Sequence, residues 1–265
     1  MGELNRLTKS AQPVGTIATL YQGKVAGETL TSYMRMDTRF ARGRDPDMIY
    51  VKGSQVPAQR NLAVHQMRGD WIIFIDSDME FGPHDVQRLV TSYEILKTQI
   101  EEPIIVGGLC CRRYPPYEPT IYRALDMEDG PFRVIEKWDG ADYVECDATG
   151  MAFVLIELGV FEAIMGGPMP SFDERVELTP WPYYEWVGRM GEDFRFCLRA
   201  KAAGARVFVD PGVIIGHVAD VTIGIADYWR QMATRTDEAY ETARAINDEL
   251  EMPTLDRQKA LELLG

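Results

Sequence analysis

Positive charge is in short supply in this chain: 28 Lys and Arg stand against 41 Asp and Glu, a formal net charge of -13. A deficit of that size argues against a large nucleic-acid footprint or an anionic membrane surface. Cysteine is sparse too. The four residues, Cys110, Cys111, Cys146 and Cys197, show no Cys-x-x-Cys spacing and two are adjacent, so neither a zinc site nor a disulfide framework is expected. The expected setting is a reducing cytoplasm. No segment reaches the roughly 18 apolar residues of a membrane span, and Met1 to Pro13 is polar with no apolar signal region. A soluble, unsecreted protein is expected. There are no evident repeats or low-complexity tracts.

What is present is material for a core and an apolar run that ends in charge. Hydrophobic residues make up 46% of the 265, enough for one large domain or one with a small appendage. Trp71-Ile72-Ile73-Phe74-Ile75 is β-branched and aromatic with no polar alternation, the pattern of a strand covered on both faces of a parallel sheet. It runs directly into Asp76-Ser77-Asp78. Ligands of open α/β sheets bind at the carboxyl ends of the strands, where two carboxylates two residues apart can turn toward one divalent cation. Oxygen ligands of this kind suit Mg²⁺ or Mn²⁺. A second Asp-x-Asp, Asp45-Pro46-Asp47, follows Arg42-Gly43-Arg44 in a turn-like stretch and reads as a solvated loop.

Around this strand the pattern alternates. Strands are expected at Gly15 to Leu20, Met48 to Val51 and Ile104 to Leu109, with helices at Ala26 to Met36, Val56 to Met67, and from Pro83 to about Ile100. Such alternation implies crossover connections and a mostly parallel sheet. After Leu109 the pattern changes: Arg112, Arg113, Tyr114, Pro115, Pro116, Tyr117 and Pro119 form an irregular, aromatic, locally basic segment that looks like a binding surface. Extended pieces near Phe132 to Ile135 and Tyr143 to Cys146, and a buried strand over Thr149 to Ile156, mix antiparallel pairing into the second half. Apolar positions from Ile225 to Leu250 recur at helical spacing, predicting an amphipathic helix that packs on its own domain or forms a homodimer.

Four further stretches carry chemistry. Gly191-Glu192-Asp193 opens a helix whose buried face is Phe194, Cys197, Leu198 and Ala202. Its two acidic groups either cap the helix end or supply a general base. Arg206 to His217 reads as two extended segments joined by a Pro-Gly turn and ends in an imidazole able to complete a metal shell with Asp76 and Asp78. Arg60, in the helix before the apolar strand, is either a surface arginine or the cation that an acidic protein needs beside a diphosphate. Pro180 to Trp186 gathers Trp181, Tyr183, Tyr184 and Trp186, which either cap a core or stack on flat ligands such as sugar rings.

Taken in order, these pieces resemble the GT-A fold nucleotide-sugar glycosyltransferases, especially the large inverting family two and related phage and bacterial enzymes. Ala58-Gln59-Arg60-Asn61 is similar to that family's Ala-x-Arg-Asn helix start and Ile75-Asp76-Ser77-Asp78 to its Asp-x-Asp strand end. Thr149-Gly150 is similar to its acceptor-side turn, Gly191-Glu192-Asp193 to its Glu-Asp helix start, and His217 to its late metal-binding histidine. The resemblance spans about Gly15 to His217. It implies a Rossmann-like, mostly parallel α/β sheet with helices on both faces and a mixed acceptor-side half. Residues 1–224 would form one catalytic domain, with a donor half about 14–110 and an acceptor half about 111–224, and 225–265 a helical extension. It also implies transfer of a hexosyl or pentosyl group from a UDP- or GDP-linked donor to an acceptor hydroxyl, with inversion. Asp78, His217 and Asp76 would hold Mn²⁺ or Mg²⁺, Asp76 also reaching the ribose. Asp193, beside Glu192, would be the base. Thr19, Tyr21, Ser54, Arg60, Asp76 and Ser77 would lie on the nucleotide-sugar side, and Thr149, Gly150, Trp181, Tyr184 and Trp186 on the acceptor side.

The chain departs from the processive members of that family. It lacks Gln-x-x-Arg-Trp, for which Tyr228-Trp229-Arg230 is no substitute, and this favours single sugar additions over polysaccharide synthesis. A nucleotidyltransferase is an alternative on a similar fold, but Leu20-Tyr21-Gln22-Gly23-Lys24 is too poor in glycine for its phosphate loop. A non-catalytic sugar-binding module built on the Trp181 to Trp186 cluster is the other alternative. The loop between Ala219 and Gly224 is a candidate lid.

Overall fold

The structure is a computed structural model that describes residues 13–37, 45–125, 132–138, 140–188, 190–219 and 222–233. Its first half alternates: β1 (Thr16–Tyr21), α1 (Gly27–Arg35), β2 (Asp47–Lys52), α2 (Val56–Gln66), β3 (Trp71–Asp76), a two-residue β4 (Met79–Glu80), α3 (Asp85–Lys97) and β5 (Ile104–Leu109). The expected helix after Pro83 is shorter than read, because its cap is His84 and it closes at Lys97. The second half holds β6 (Ile121–Ala124), β7 (Phe132–Val134), β8 (Val144–Cys146), β9 (Ala148–Thr149), β10 (Phe153–Glu157), α4 (Leu158–Met165) and α5 (Phe172–Arg175). It ends with α6 (Glu192–Ala202), β11 (Arg206–Ile214), β12 (Gly216–Val218), β13 (Thr222–Ile223) and α7 (Ile225–Ala233). The remainder of the helix expected to reach Leu250 lies outside the described residues.

The main sheet has the order β2-β1-β3-β10-β5-β11-β8. Strands β2, β1, β3, β5 and β11 run one way, while β10 and β8 oppose them. The mixture expected of the second half is thus present, β10 inserted between β3 and β5 and β8 at the edge beside β11. Two details correct the sequence reading. Thr149 to Ile156 is not one strand: β9 pairs with β6 in a separate small sheet, and only β10 joins the main one. Arg206 to Ile214 is one strand, its ladder shifting register between Asp210 and Ile214 where Pro211 and Gly212 interrupt the pairing.

Burial explains why β3 shows no polar alternation. Ile72 and Phe74 belong to a core layer with Ala63, Val64, Val160 and Phe196, under α2, α4 and α6. Trp71, Ile73 and Ile75 belong to the opposite layer with Val86, Leu89 and Leu96 of α3. Both faces are covered, and each fully buried aliphatic or aromatic side chain contributes ~1.5–3 kcal/mol relative to exposure. Gly15 leads into β1 because the Trp71 indole occupies the space of a side chain there, 2.2 Å from where a Cβ would stand. The four cysteines are free and buried, as the spacing suggested. Among the described residues, no helix is long and apolar enough to cross a membrane.

Candidate active site

The Asp-x-Asp segment leaves β3 at the carboxyl edge of the sheet, beside the end of β1, where Leu20 lies opposite Asp76. The other copy begins β2, with Asp47 opposite Thr16 at the amino end of the sheet, which separates it from this edge. Directly after Asp78 the chain enters β4, which pairs antiparallel with β12 so that Met79 faces His217. The Val218 N–H donates to the Asp78 carbonyl at 2.7 Å. This ladder is what brings His217, far along the chain, to within 3.5 Å of the Asp78 Oδ2 through its Nε2.

The other imidazole nitrogen, Nδ1, lies 3.0 Å from the carbonyl oxygen of Cys111. A carbonyl only accepts, so Nδ1 donates to it and Nε2 is the nitrogen turned toward Asp78. Burial pushes the Asp78 carboxyl up, but the hydrogen bond from His217, its charge and that of Arg113 outweigh burial and hold it below the ordinary carboxylate value. Arg113 donates to the same Oδ2 at 2.9 Å. Carboxylate plus imidazole suits a hard divalent cation, and Mg²⁺ commonly takes one or two protein groups with the rest from water and substrate phosphate. The donor set therefore fits such an ion, although no group of three His, Cys, Asp or Glu side chains able to hold one occurs among the described residues.

Asp76, expected as the third ligand, lines the same cavity as Asp78 and is paired with Arg60. Its oxygens accept from Arg60 Nη2 at 3.3 and 3.4 Å. Arg60 is only 2% exposed. Its Nη1 donates to the Met151 carbonyl at 3.1 Å, its Nε lies 3.6 Å from Glu192 Oε1, and its guanidinium sits over the rings of Phe74 and Tyr184. Burial disfavours that charge, but Asp76, with Tyr184, Glu192 and Asp193, more than offsets it, so the arginine is held ionised. Burial likewise raises Asp76 despite the opposing pull of Arg60. The arginine read from sequence as a phosphate-side cation is in fact enclosed, a buried counter-ion beneath the carboxylates.

On the far side of Arg60, α6 opens with Gly191 at its cap and no side-chain cap hydrogen bond. Glu192 is held on both oxygens, by Arg60 and by Trp186 Nε1 at 3.2 Å. Asp193 is folded back so that its Oδ1 accepts from the Phe194 N–H at 2.8 Å. A Cβ on Gly191 would stand 2.7 Å from that oxygen, which is a physical reason for glycine before the acidic pair. Burial first, and Glu192 second, push Asp193 up to about 6. The two readings of this helix start therefore combine, since Asp193 caps locally and also faces space.

That space is a cavity of about 1030 Å³ lined by Asp193, Gly150, Tyr122, Phe132 and Phe194. A second cavity, of about 670 Å³, is lined by Tyr21, Asp76, Ser77 and Asp78 together with Lys24 and Arg113. The structure brings Asp76, Ser77, Asp78 and Tyr21 together at one cavity and places Asp193 and Gly150 at the other. Several expected residues are elsewhere. Thr19 is buried within β1, its hydroxyl hydrogen-bonded to Tyr33, because the β1 side-chain alternation points it into the sheet's cover. Ser54 is exposed and outside the lining of the smaller cavity. Thr149 is fully buried and donates to the Thr120 carbonyl at 2.8 Å. Tyr184 is a core residue, stacked on Phe196 with centroids 4.3 Å apart. Trp181 and Trp186 are the exposed members of their cluster, at 46% and 58%. Arg113 and the Cys111 carbonyl were not singled out by residue type, although the basic aromatic segment that contains Arg113 was.

The geometry now has a counterpart among known proteins. Residues 39–116 match the family described as Glycosyl transferase family 2. The resemblance read from the sequence is borne out there, and the fold is of the GT-A type. The matched segment carries Arg60, Asp76, Asp78 and Arg113, while Asp193 and His217 lie beyond it. Among solved structures, the chain is similar to A197 from STIV, at 14% identity and a TM-score of 0.48 over 77% of this chain and 85% of that one. It is also similar to S. aureus TarS, at 13% identity and a TM-score of 0.40 over 92% of this chain and 41% of that one. This chain thus spans less than half the length of TarS. No curated protein matches it.

Proposed function

We propose that the chain transfers a sugar from a nucleotide-diphosphate donor to an acceptor hydroxyl by direct displacement, with Asp193 as the base. The observation that carries this reading is the division of the site: Asp76, Ser77 and Asp78 line one cavity, Asp193 lines another, and Arg60 stands between the two carboxylate groups through Asp76 and Glu192.

The donor would lie in the smaller cavity, its diphosphate near Asp78 and its ribose near Asp76. Asp78 and His217 would hold Mn²⁺ or Mg²⁺, whose chemistry when bound is to neutralise charge on the departing diphosphate. The acceptor would enter the larger cavity, where Tyr122, Phe132 and Phe194 offer apolar walls and Val187 follows the exposed Trp186 in the chain. Asp193 takes the hydroxyl proton. A base raised to about 6 is ionised at neutral pH yet basic enough to accept that proton as the new bond forms. Attack by the acceptor from the face opposite the departing diphosphate would invert the anomeric centre.

The test is a hydrolysis screen of UDP- and GDP-sugars with Mn²⁺, since transferases of this kind slowly hydrolyse their own donor when acceptor is missing. One sugar nucleotide should be consumed by the wild type and left intact by Asp78→Ala. Consumption of none, or equal consumption by the variant, rejects the reading.

A further inference from the structure

We propose that Arg113 is the mobile cation of the donor site, neutralising Asp78 in the free chain and passing to the donor's diphosphate when a divalent ion takes its place on Asp78. This rests on the reading of the smaller cavity as a nucleotide-sugar site.

The argument begins from the cation that is missing from its expected place. Arg60 is enclosed, with its hydrogen bonds directed to Asp76 and the Met151 carbonyl, so it is not presented to a ligand in the cavity. The cationic side chains that do line the cavity are Lys24 and Arg113. Arg113 alone of these touches the Asp-x-Asp segment, through Asp78 Oδ2 at 2.9 Å, the same oxygen that faces His217 Nε2 at 3.5 Å. Arg113 and an ion held by Asp78 and His217 therefore draw on one oxygen and carry charge of one sign. Each thus weakens the other's hold on that oxygen.

Exchange is inexpensive because the Arg113 side chain is 45% exposed and an ion pair so open to water contributes little. The backbone beneath it is secured. Cys111 bridges to Pro119, the Arg112 N–H donates to the Glu118 carbonyl at 2.9 Å, and the Thr120 N–H donates to the Cys110 carbonyl at 2.9 Å. The neighbouring Arg112 is held by Glu118 at 3.0 Å on the wall of the other cavity, so consecutive arginines face different cavities and only one has a donor-side outlet. Released from Asp78, a planar guanidinium is well shaped to grip phosphate oxygens in pairs.

The exchange makes two predictions of opposite sign for one substitution. With nucleotide absent, Arg113→Ala should bind Mn²⁺ about threefold more tightly than wild type, because a competitor for Asp78 is gone. With Mn²⁺ saturating, the same variant should bind UDP, GDP or inorganic pyrophosphate about tenfold more weakly or worse. Arg113→Lys, which keeps the charge but not the paired grip, should recover part of the diphosphate affinity. Free Mn²⁺ followed by electron paramagnetic resonance and nucleotide binding followed by calorimetry give both readouts without turnover. A wild type that binds neither UDP nor GDP with Mn²⁺ present overturns the donor-site reading and this proposal with it. A wild type that binds one of them, while Arg113→Ala leaves both affinities unchanged or weakens Mn²⁺ binding, overturns this proposal alone.

Discussion

Arg60 Nη2 lies 3.3 Å from Asp76 Oδ1, a buried cation set against the first carboxylate of the Asp-x-Asp segment. The same guanidinium reaches Glu192 Oε1 at 3.6 Å, so it joins the acidic segment after β3 to the start of the helix that carries Glu192 and Asp193. It also gives the carboxyl edge of the sheet a single electrostatic support shared by both cavities.

Removing that support should cost stability before it costs chemistry. Arg60→Met keeps much of the bulk between Phe74 and Tyr184 but leaves Asp76 and Glu192 without their cation, a loss of about 3 kcal/mol for breaking a buried pair. Urea unfolding of the variant against wild type measures it. A difference under about 0.5 kcal/mol would show that the pair is not structural.

Asp78→Ala and His217→Ala should each abolish Mn²⁺-dependent nucleotide binding, because each removes one of the two protein groups that face each other at 3.5 Å. Calorimetric titration of UDP and GDP with and without Mn²⁺ decides the matter. Retention of metal-dependent binding in His217→Ala would remove the imidazole from the ligand set.

Asp193→Asn should bind donor normally and lose transfer by about a hundredfold or more, the range for a general base. The pH dependence follows from its environment. A base with a pKa of about 6 is protonated below that value, so the wild-type rate should fall about tenfold for each pH unit below it. Stability moves in the opposite sense. The folded carboxyl holds its proton more tightly than the ordinary value of 3.8, so its contribution is full below 3.8 and is lost as pH rises through about 6. Asp193→Asn, always neutral, should thus be more stable than wild type at pH 8 by on the order of 1 kcal/mol, with the gap closing toward pH 4. Thermal denaturation at the two pH values checks the sign.

The aromatic cluster separates into two roles that two substitutions should distinguish. Tyr184→Ala removes a ring stacked on Phe196 in the core and should destabilise by about 3–5 kcal/mol. Trp186→Ala, at an exposed position hydrogen-bonded to Glu192, should leave stability within about 0.5 kcal/mol while raising the acceptor KM. Equal effects of the two on unfolding would contradict the assignment.

Much of this was legible from residue order. The run from Trp71 to Ile75 announced a strand covered on both faces because period and composition report burial directly, and its length put Asp76 at the carboxyl edge of the sheet. The second Asp-x-Asp copy, read as a solvated loop, differs from that reading at Asp47, which begins β2 and lies 3.9 Å from Arg68, whereas Asp76 ends its strand. Arg60, Thr19 and Tyr184 were harder. Their neighbours in sequence say which helix or strand they occupy, but whether a side chain meets solvent or another element depends on what packs across it.

By itself, then, the sequence determined the alternating architecture, the strand that delivers the acidic segment and the helix that opens on Gly191-Glu192-Asp193, because hydrophobic period and chain punctuation are local properties. Tertiary structure alone decided the partners. The β4 and β12 ladder brings His217 to Asp78 across more than half the chain, α2 folds Arg60 beneath Asp76, and the loop after Cys111 lays Arg113 on the oxygen that His217 faces. Such pairings are set by register and crossing of distant elements, for which no local pattern in the chain provides a signal.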